Sequence, residues 1–367
     1  MTRRQLLASA IALAGCGRRK GSGFPGYAFV ANEQGRAIAA VDLTAFAVAR
    51  HIRLDGAPTE VLARSGKPFA YTLTPSSGEL YELDVAALKI SRKARVARAA
   101  KTMRLDPSGD YIWVACANPK QLVRVPLDSL RPSGAIPLPS EPAGLDISRS
   151  GRAAAVTFGD AGSMAILDLI TGVRRIVAQG GALHGVMFRS DERVVLAADT
   201  VSRSIVILDA GTGRTVVRLP VAVRPDNLCM KSDGGQLFVT GEGMDALVFI
   251  YPYNTEVAET ILAGRSPGVM AESPASSFLF VANPTSGEVS VIDIETRRVI
   301  AVAQVGRAPA CIGITPDQQS ALVLNRASGD VAVIRIASIA AKRSKYAPLF
   351  TMIPVGSGPV SVAIRRV

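Results

Sequence analysis

From Tyr27 to Val367 the chain is a succession of short apolar runs broken by Gly, Pro, Asn and Asp. One stretch, from Phe278 to Gln319, shows the pattern best: "FLFVAN", "PTSG", "EVSVID", "IETR", "RVIAVAQ", "VGRAP", "ACIGIT", "PDQQ". β-Branched and apolar residues that alternate or run between turn-formers predict short antiparallel strands, four of them in this stretch. The apolar spacing does not follow the 3.6-residue period of an amphipathic helix.

The same unit recurs along the chain. The segments "FVAN", "YTLT", "WVAC", "AVTF", "LAAD", "FVTG", "FVAN" and "LVLN" end at Asn32, Thr74, Cys116, Phe158, Asp199, Gly241, Asn283 and Asn325, in steps of 42, 42, 42, 41, 42, 42 and 42 residues. A second series places Asp42, Asp84, Pro126, Asp168, Asp209, Pro252, Asp293 and Arg335 in register, with Asp in five of the eight units. Repeats of this length, with four strands each, are the signature of propeller blades. The expected fold is therefore all-β, a single β-propeller of four-stranded antiparallel blades. Eight units predict eight blades, with seven as the alternative. An insertion, Ala337 to Leu349, lengthens the outer hairpin of unit eight and carries Lys342, Arg343 and Lys345; it reads as a solvated loop.

The stretch "FVANPTSGEVSVIDIETRRVIAVAQVGRAPACIGITPD" resembles the YVTN-type β-propeller repeat, and the resemblance covers Tyr27 to Val367. Units one, five, six, seven and eight match it well, and two, three and four are degenerate. The resemblance implies that the strand after each Val-Gly-x-x-Pro turn lies innermost, in the blade built mainly from the next unit. The C-terminal "PVSVAIRR" would then complete the blade begun by "YAFVAN", closing the ring by pairing the chain's two ends. A family likeness of this kind specifies fold and not function.

Ahead of the repeats stands "MTRRQLLASAIALAGCGRRKGSG". Its apolar run is shorter than the roughly 20 residues that span a bilayer. Two arginines, a short apolar region and a small-residue site read instead as a secretory signal over 1–15, by the Sec or the twin-arginine route. Leu13-Ala14-Gly15-Cys16 resembles the bacterial lipobox, which makes Cys16 the expected site of lipid attachment. Residues 16–26 become the lipidated cysteine and a flexible tether, and 27–367 the propeller domain. An exported, lipid-anchored protein is expected at the outer membrane and periplasm or at the cell surface. Gly17, rather than Asp, after the cysteine points to an outer membrane where the host has one.

The sequence of 367 residues carries 42 Lys and Arg against 30 Asp and Glu, a net +12. This favours an acidic partner or an anionic surface. Aromatic residues make up only 5%, too few for the stacking platforms of a single-strand binder, so no nucleic-acid partner is expected. Cys116, Cys229 and Cys311 lie within apolar runs and read as core, as do Trp113, Met187, Met230 and Met270. With no CxxC, CxxCH or His-rich tract, no metal and no cofactor are expected.

In a propeller, the loops entering the innermost strands and the hairpins between second and third strands share the face that surrounds the channel mouth. The first set supplies Glu141, His184, Arg224, Arg265 and Arg307. The second supplies Glu33, Asp160, Arg203, Glu242, Asp245 and Arg326. Arg224, Arg265 and Arg307 occupy the same turn in successive units, and an arginine fork suits carboxylate or phosphate. Arg224, Arg265, Arg307, His184, Arg203 and Arg326 are thus the candidate ligand-binding residues. His184 falls beside the place of Pro267 and Pro309 in later units and reads as a spacer at the channel mouth rather than a base. His51 sits on an expected outer strand.

No GxSxG elbow occurs, and no catalytic residue is assigned. The expected function is that of a monomeric, membrane-anchored, non-enzymatic propeller binding a protein or an anionic ligand at its basic face. The alternative is a lactonase-type hydrolase using the site near His184. A hydrolase calls for carboxylates converging with His184 in one deep pocket, and a binder for a broad basic mouth.

Overall fold

The structure is a computed structural model that describes residues 23–64, 66–340 and 349–366. The lipobox with Cys16, most of the expected tether, and the basic run Lys342, Arg343 and Lys345 lie outside the described residues. Eight four-stranded antiparallel sheets are formed, and they follow one another as the blades of a β-propeller. In blade 7 the order from the channel outwards is Met270–Ser273, Phe278–Asn283, Glu288–Asp293 and Arg298–Gln304. Blades 2 to 8 are each built in this sequence order.

Blade 1 differs. Its innermost strand is Pro359–Arg366, paired antiparallel to Gly26–Asn32 with Phe29 opposite Ala363 and Ala31 opposite Ser361. Ala37–Asp42 and Ala47–Arg53 complete it. The two ends of the described chain therefore close the ring in one sheet, as expected from the repeat phase. Adjacent inner strands are tied directly: the Val61 amide donates to Ser361 Oγ at 3.1 Å.

The second and third strands of the blades are buried along almost their whole length, whereas the outer strands are mostly exposed or half-buried, with single buried residues such as Ile52, Leu219 and Ile353. Phe278–Asn283 has every residue buried, because each sheet is covered on both faces by neighbouring blades. Phe280, Val289 and Val291 of blade 7 pack in one cluster with Ala321, Val323 and Ile334 of blade 8. This is why the first apolar run of each unit shows little alternation: a strand covered on both faces has no solvent side.

The two marker series have distinct structural causes. Asp42, Asp84, Asp168, Asp209 and Asp293 each accept, through Oδ1, a backbone amide two or three residues later, so they fold the hairpin into the outer strand. The Asn series lies beneath the glycine of the turn entering the same blade. Asn32 donates to the Val355 carbonyl at 2.6 Å, Asn283 to Ser290 Oγ at 2.9 Å and Asn325 to Asp330 Oδ1 at 2.7 Å. A Cβ at Gly306 would stand 2.7 Å from Asn325 Cγ, and one at Gly264 would collide with the Asn283 amide. Gly264 also has φ of 113°, in the region that glycine alone occupies easily.

Two local features differ from expectation. Phe24, in the stretch read as tether, is 7% exposed and packs with Ala28, Val41 and Leu43, so packed structure starts before Tyr27. The insertion in unit eight begins as a helical turn, Ile336–Ala340, that buries Ile336 and Ile339 between blades 7 and 8. An isoleucine pair three residues apart is the signal for this, since residues at that spacing share a helix face.

Cys116 is buried, and Cys229 and Cys311 are half-buried against apolar clusters; all three are free. Burial pushes their thiols up to about 12, 11 and 11 respectively. Trp113 is 5% exposed and donates to Asp106 at 3.2 Å. Met187 and Met230 pack against the blade 5–6 cluster and Met270 against the blade 6–7 cluster. His51 is exposed on the outer strand of blade 1.

Candidate functional site

Because strands alternate in direction, all the turns entering inner strands and all the hairpins between second and third strands emerge on one face. Arg203, Arg224, Arg265, Arg307 and Arg326 stand there and are exposed. Their surroundings differ. Arg224 meets Glu242 at 3.5 Å, and Arg326 meets Glu33 at 2.6 Å. Among the described residues the guanidinium of Arg307 has only the Ala327 carbonyl, at 3.4 Å. The side chains of Arg203 and Arg265 hold no hydrogen-bond or ion-pair partner among the described residues. The side chain of Arg203 reaches towards Gly243, in the corresponding hairpin of blade 6.

Three hollows open on this face. One of about 680 Å³ lies between blades 6 and 7, lined by Asp226, Glu242, Met244, Asp245 and Pro267; Asp245 accepts the Ser266 amide at 2.8 Å. A second, of about 650 Å³, lies between blades 8 and 1 beside Arg326, Gln34 and the Gly356-Ser357-Gly358 turn. A third, of about 540 Å³, is lined by Lys101, Lys120, Glu141, Asp160 and His184. In it Lys101 pairs with Glu141 at 2.7 Å and holds that carboxyl below its ordinary range. The face is therefore mixed in charge rather than uniformly basic.

His184 links the third hollow to the channel. It is half-buried at the second residue of the inner strand Leu183–Phe188, and its backbone carbonyl accepts from Thr157 Oγ1 at 2.5 Å. The imidazole has no hydrogen-bond partner among the described residues. On the channel side it shares a cavity of about 430 Å³ with Arg104, Asp146, Met187, Asp226 and Asn227. Burial pushes the Asp146 carboxyl up, opposed by the Phe188 amide, which donates to it at 2.7 Å, and by the Arg104 charge. Arg104 is in turn 3.6 Å from Glu60, whose carboxylate accepts from Thr102 Oγ1 and the Met103 amide.

The mouth candidates thus share one face, but Arg224 and Arg326 are paired with carboxylates while Arg203, Arg265 and Arg307 are not. Arg104, Asp146 and Asp226 were not expected from the sequence. For the first two the signal was available: Leu62, Arg104, Asp146, Met187, Cys229, Ala271, Gly313 and Ala363 fall at one position of the inner strands, each opposite the same position of its second strand, and the charged members are the departures. Among the described residues, no group of three His, Cys, Asp or Glu side chains is placed to hold a metal ion, and no helix is long and apolar enough to cross a membrane.

No family model matches the chain, and no curated protein matches it in sequence. Solved structures do resemble it in fold. A dihydro-heme d1 dehydrogenase, solved in complex with a ligand, superimposes with a TM-score of 0.78 at 15% identity, over 94% of this chain and 76% of that one. Hydrazine synthase of Kuenenia stuttgartiensis gives 0.61 at 17% identity, over 76% and 96%. A candidate 6-phosphogluconolactonase of Bacteroides fragilis NCTC 9343 gives 0.61 at 15% identity, over 84% and 97%. Likeness at these identities establishes the β-propeller fold.

Proposed function

We propose that the protein is an exported, lipid-anchored propeller of the YVTN-repeat type that binds an anionic ligand, without chemistry, where the central channel opens. The observation that carries this reading is that Arg203, Arg265 and Arg307 stand exposed on one face with no carboxylate partner, around a channel holding Arg104 and the unpartnered imidazole of His184. A guanidinium left without a carboxylate keeps its fork of donors free for one. Each exposed arginine adds no more than about 1 kcal/mol, so several must act together. The ligand class that suits a channel with such a rim is an organic molecule bearing several carboxylates or phosphates. A carboxylated tetrapyrrole belongs in that class, and the fold neighbour named for dihydro-heme d1 makes it the first probe.

The test is titration of the propeller from Gly17 onwards with haem, phosphorylated sugars and polyanionic glycans, at low and raised salt. Binding should weaken with salt and fall at least tenfold in an Arg203→Ala, Arg265→Ala, Arg307→Ala variant, since about 1.4 kcal/mol is a factor of ten. A variant that binds as the parent does would remove the site.

A second reading, hydrolysis of a lactone, has its own support. His184 lines the same cavity as Asp146 and Asp226, which is the convergence a hydrolase calls for. No side-chain hydrogen bond joins His184 to either carboxylate among the described residues, and a base needs an orienting partner within about 3.2 Å. Lactone turnover lost in both His184→Ala and Asp146→Asn would favour this reading over binding alone.

A further inference from the structure

The face opposite the mouth carries features that ligand binding does not use. We infer that this face lies flat against an anionic lipid bilayer, with the hairpin Leu169–Val173 of blade 4 dipping its tip into the headgroup layer. The inference rests on the proposed lipid at Cys16 for one of its two attachments.

The first attachment is set by where the described chain begins. Gly23 packs against the Leu43 carbonyl and the ring of Phe46, in the loop from the third to the fourth strand of blade 1. That loop and its counterparts emerge on the face away from the mouth. Cys16 is seven residues before Gly23, and seven residues reach at most about 25 Å. A lipid on Cys16 would therefore hold this face, not the mouth, towards the membrane.

The second attachment is three blades round the ring. Ile170 is 72% exposed and Val173 59%, and both sit at the tip of the corresponding hairpin of blade 4. Exposed arginines surround them: Arg149 and Arg152 on the neighbouring turn of the same blade, Arg131 on blade 3 and Arg214 on blade 5. None of the four has an ion-pair partner among the described residues. Of the acids on these turns, Asp168 and Asp209 are engaged by turn amides, Glu192 accepts the Ser150 amide, Asp191 pairs with Arg189 at 2.7 Å, and Asp128 lies 3.6 Å from Arg64. An apolar tip ringed by unpaired cations is the composition of an interfacial membrane contact. With eight blades, three steps make about 135° of rotation, eight equal parts to the full turn. Two attachments so far apart on one face hold that face towards the bilayer, and they leave the mouth facing away from it, open to its ligand.

The lipidated full chain is reconstituted in vesicles of phosphatidylcholine with phosphatidylglycerol, and a fluorophore is placed by Val173→Cys or, on the mouth face, by Arg265→Cys. The three native thiols are buried or half-buried, and burial keeps them protonated, so labelling is directed to the new site. Acyl chains brominated near the headgroup should quench the blade 4 probe and leave the mouth probe unchanged. Equal quenching at both sites, or none at blade 4, overturns the inference. Failure of the anchor itself is read separately, from the mass of the N-terminal peptide. The unlipidated Cys16→Ser chain then tests the face alone. It should bind the anionic vesicles and lose about fivefold for each arginine removed among Arg149→Ala and Arg152→Ala, the factor that corresponds to about 1 kcal/mol per basic residue at such a surface. Equal binding to phosphatidylcholine alone, or equal binding by Ile170→Ser/Val173→Ser and the parent, also overturns it.

Discussion

Deleting Pro359 to Val367 should unfold far more than a tail. The removed strand pairs along the whole of Gly26–Asn32, and its Val360, Val362 and Ile364 pack half-buried into the clusters on the two sides of blade 1. Full burial of such a side chain is worth about 1.5 to 3 kcal/mol, so three half-buried ones contribute about 3 kcal/mol. The loss also uncovers Phe29, Val30 and Ala31, each 0% exposed in the closed ring, and removes the Ser361 acceptor of the Val61 amide. A total near 5 kcal/mol or more is a large part of the 5 to 15 kcal/mol typical of a folded protein. Urea unfolding followed by tryptophan fluorescence reports on Trp113 in blade 3, far from the cut, and so separates a local loss from a global one. The expected result is a large fall in midpoint. A milder arm is Gly26→Val, whose Cβ would land on the Arg365 carbonyl and should destabilise in the same direction by less. A truncated chain with the parent's midpoint would refute the reasoning, because the ring would then owe nothing to its closing strand.

Arg92→Ala should cost about 2 to 3 kcal/mol in urea unfolding, below the 3 to 5 of a fully buried pair because the arginine is partly exposed; it strands Glu82, which is 1% exposed and bonded to Tyr71 at 3.1 Å. Burial pushes the Glu82 carboxyl up, but the bonds from Arg92 and Tyr71 outweigh it and the net shift is downward. Its contribution is therefore full above the unfolded carboxyl range near about 4.3 and is lost as pH falls through the lower folded value, so the parent and Arg92→Ala stability curves should converge in acid and diverge above it. Gly306→Ala and Asn325→Ala should each lower stability by about 1 to 3 kcal/mol, the first by collision under the turn and the second by leaving the Asp330 carboxylate short of a donor; a double variant no worse than either single one would show that the two act as one lock. Cys116, Cys229 and Cys311 should resist alkylation at neutral pH until the chain is unfolded, since only the thiolate reacts and burial suppresses it.

The fold was legible because its determinants repeat. An Asp that starts the outer hairpin in five units and an Asn beneath the turn glycine in three solve the same local problems in different blades, so they return at nearly constant spacing. Even the degenerate units keep the phase to within two residues although none has Asn there: Thr74 ends its second strand, Phe158 directly follows the end of its own, and Cys116 lies two residues inside the end of Tyr111–Asn118. The helical turn at Ile336 was not legible, because it interrupts the repeat and its only signal is one pair of isoleucines. The charge balance of the mouth was also hidden. Glu33 and Glu242 were recognised as facing the mouth, but that they neutralise Arg326 and Arg224 depends on side-chain reach between neighbouring loops, which spacing along the chain does not encode.

Repetition carries a further consequence for the site. A residue that recurs in every unit answers to ring geometry, which is common to all blades, and so says little about a ligand that breaks the eightfold symmetry by binding at one place. Specific chemistry must sit where a unit departs from the others. At one position of the inner strands Leu62, Met187, Cys229, Ala271, Gly313 and Ala363 carry no charge, whereas Arg104 and Asp146 depart from this and converge with His184, which stands next to the proline place of later units. Those three residues lie in adjacent blades 3, 4 and 5, while the unpaired arginines Arg203, Arg265 and Arg307 extend from blade 5 to blade 8. A ligand that touched both sets would have to span the channel mouth, which favours an extended, multiply charged molecule over a single small anion.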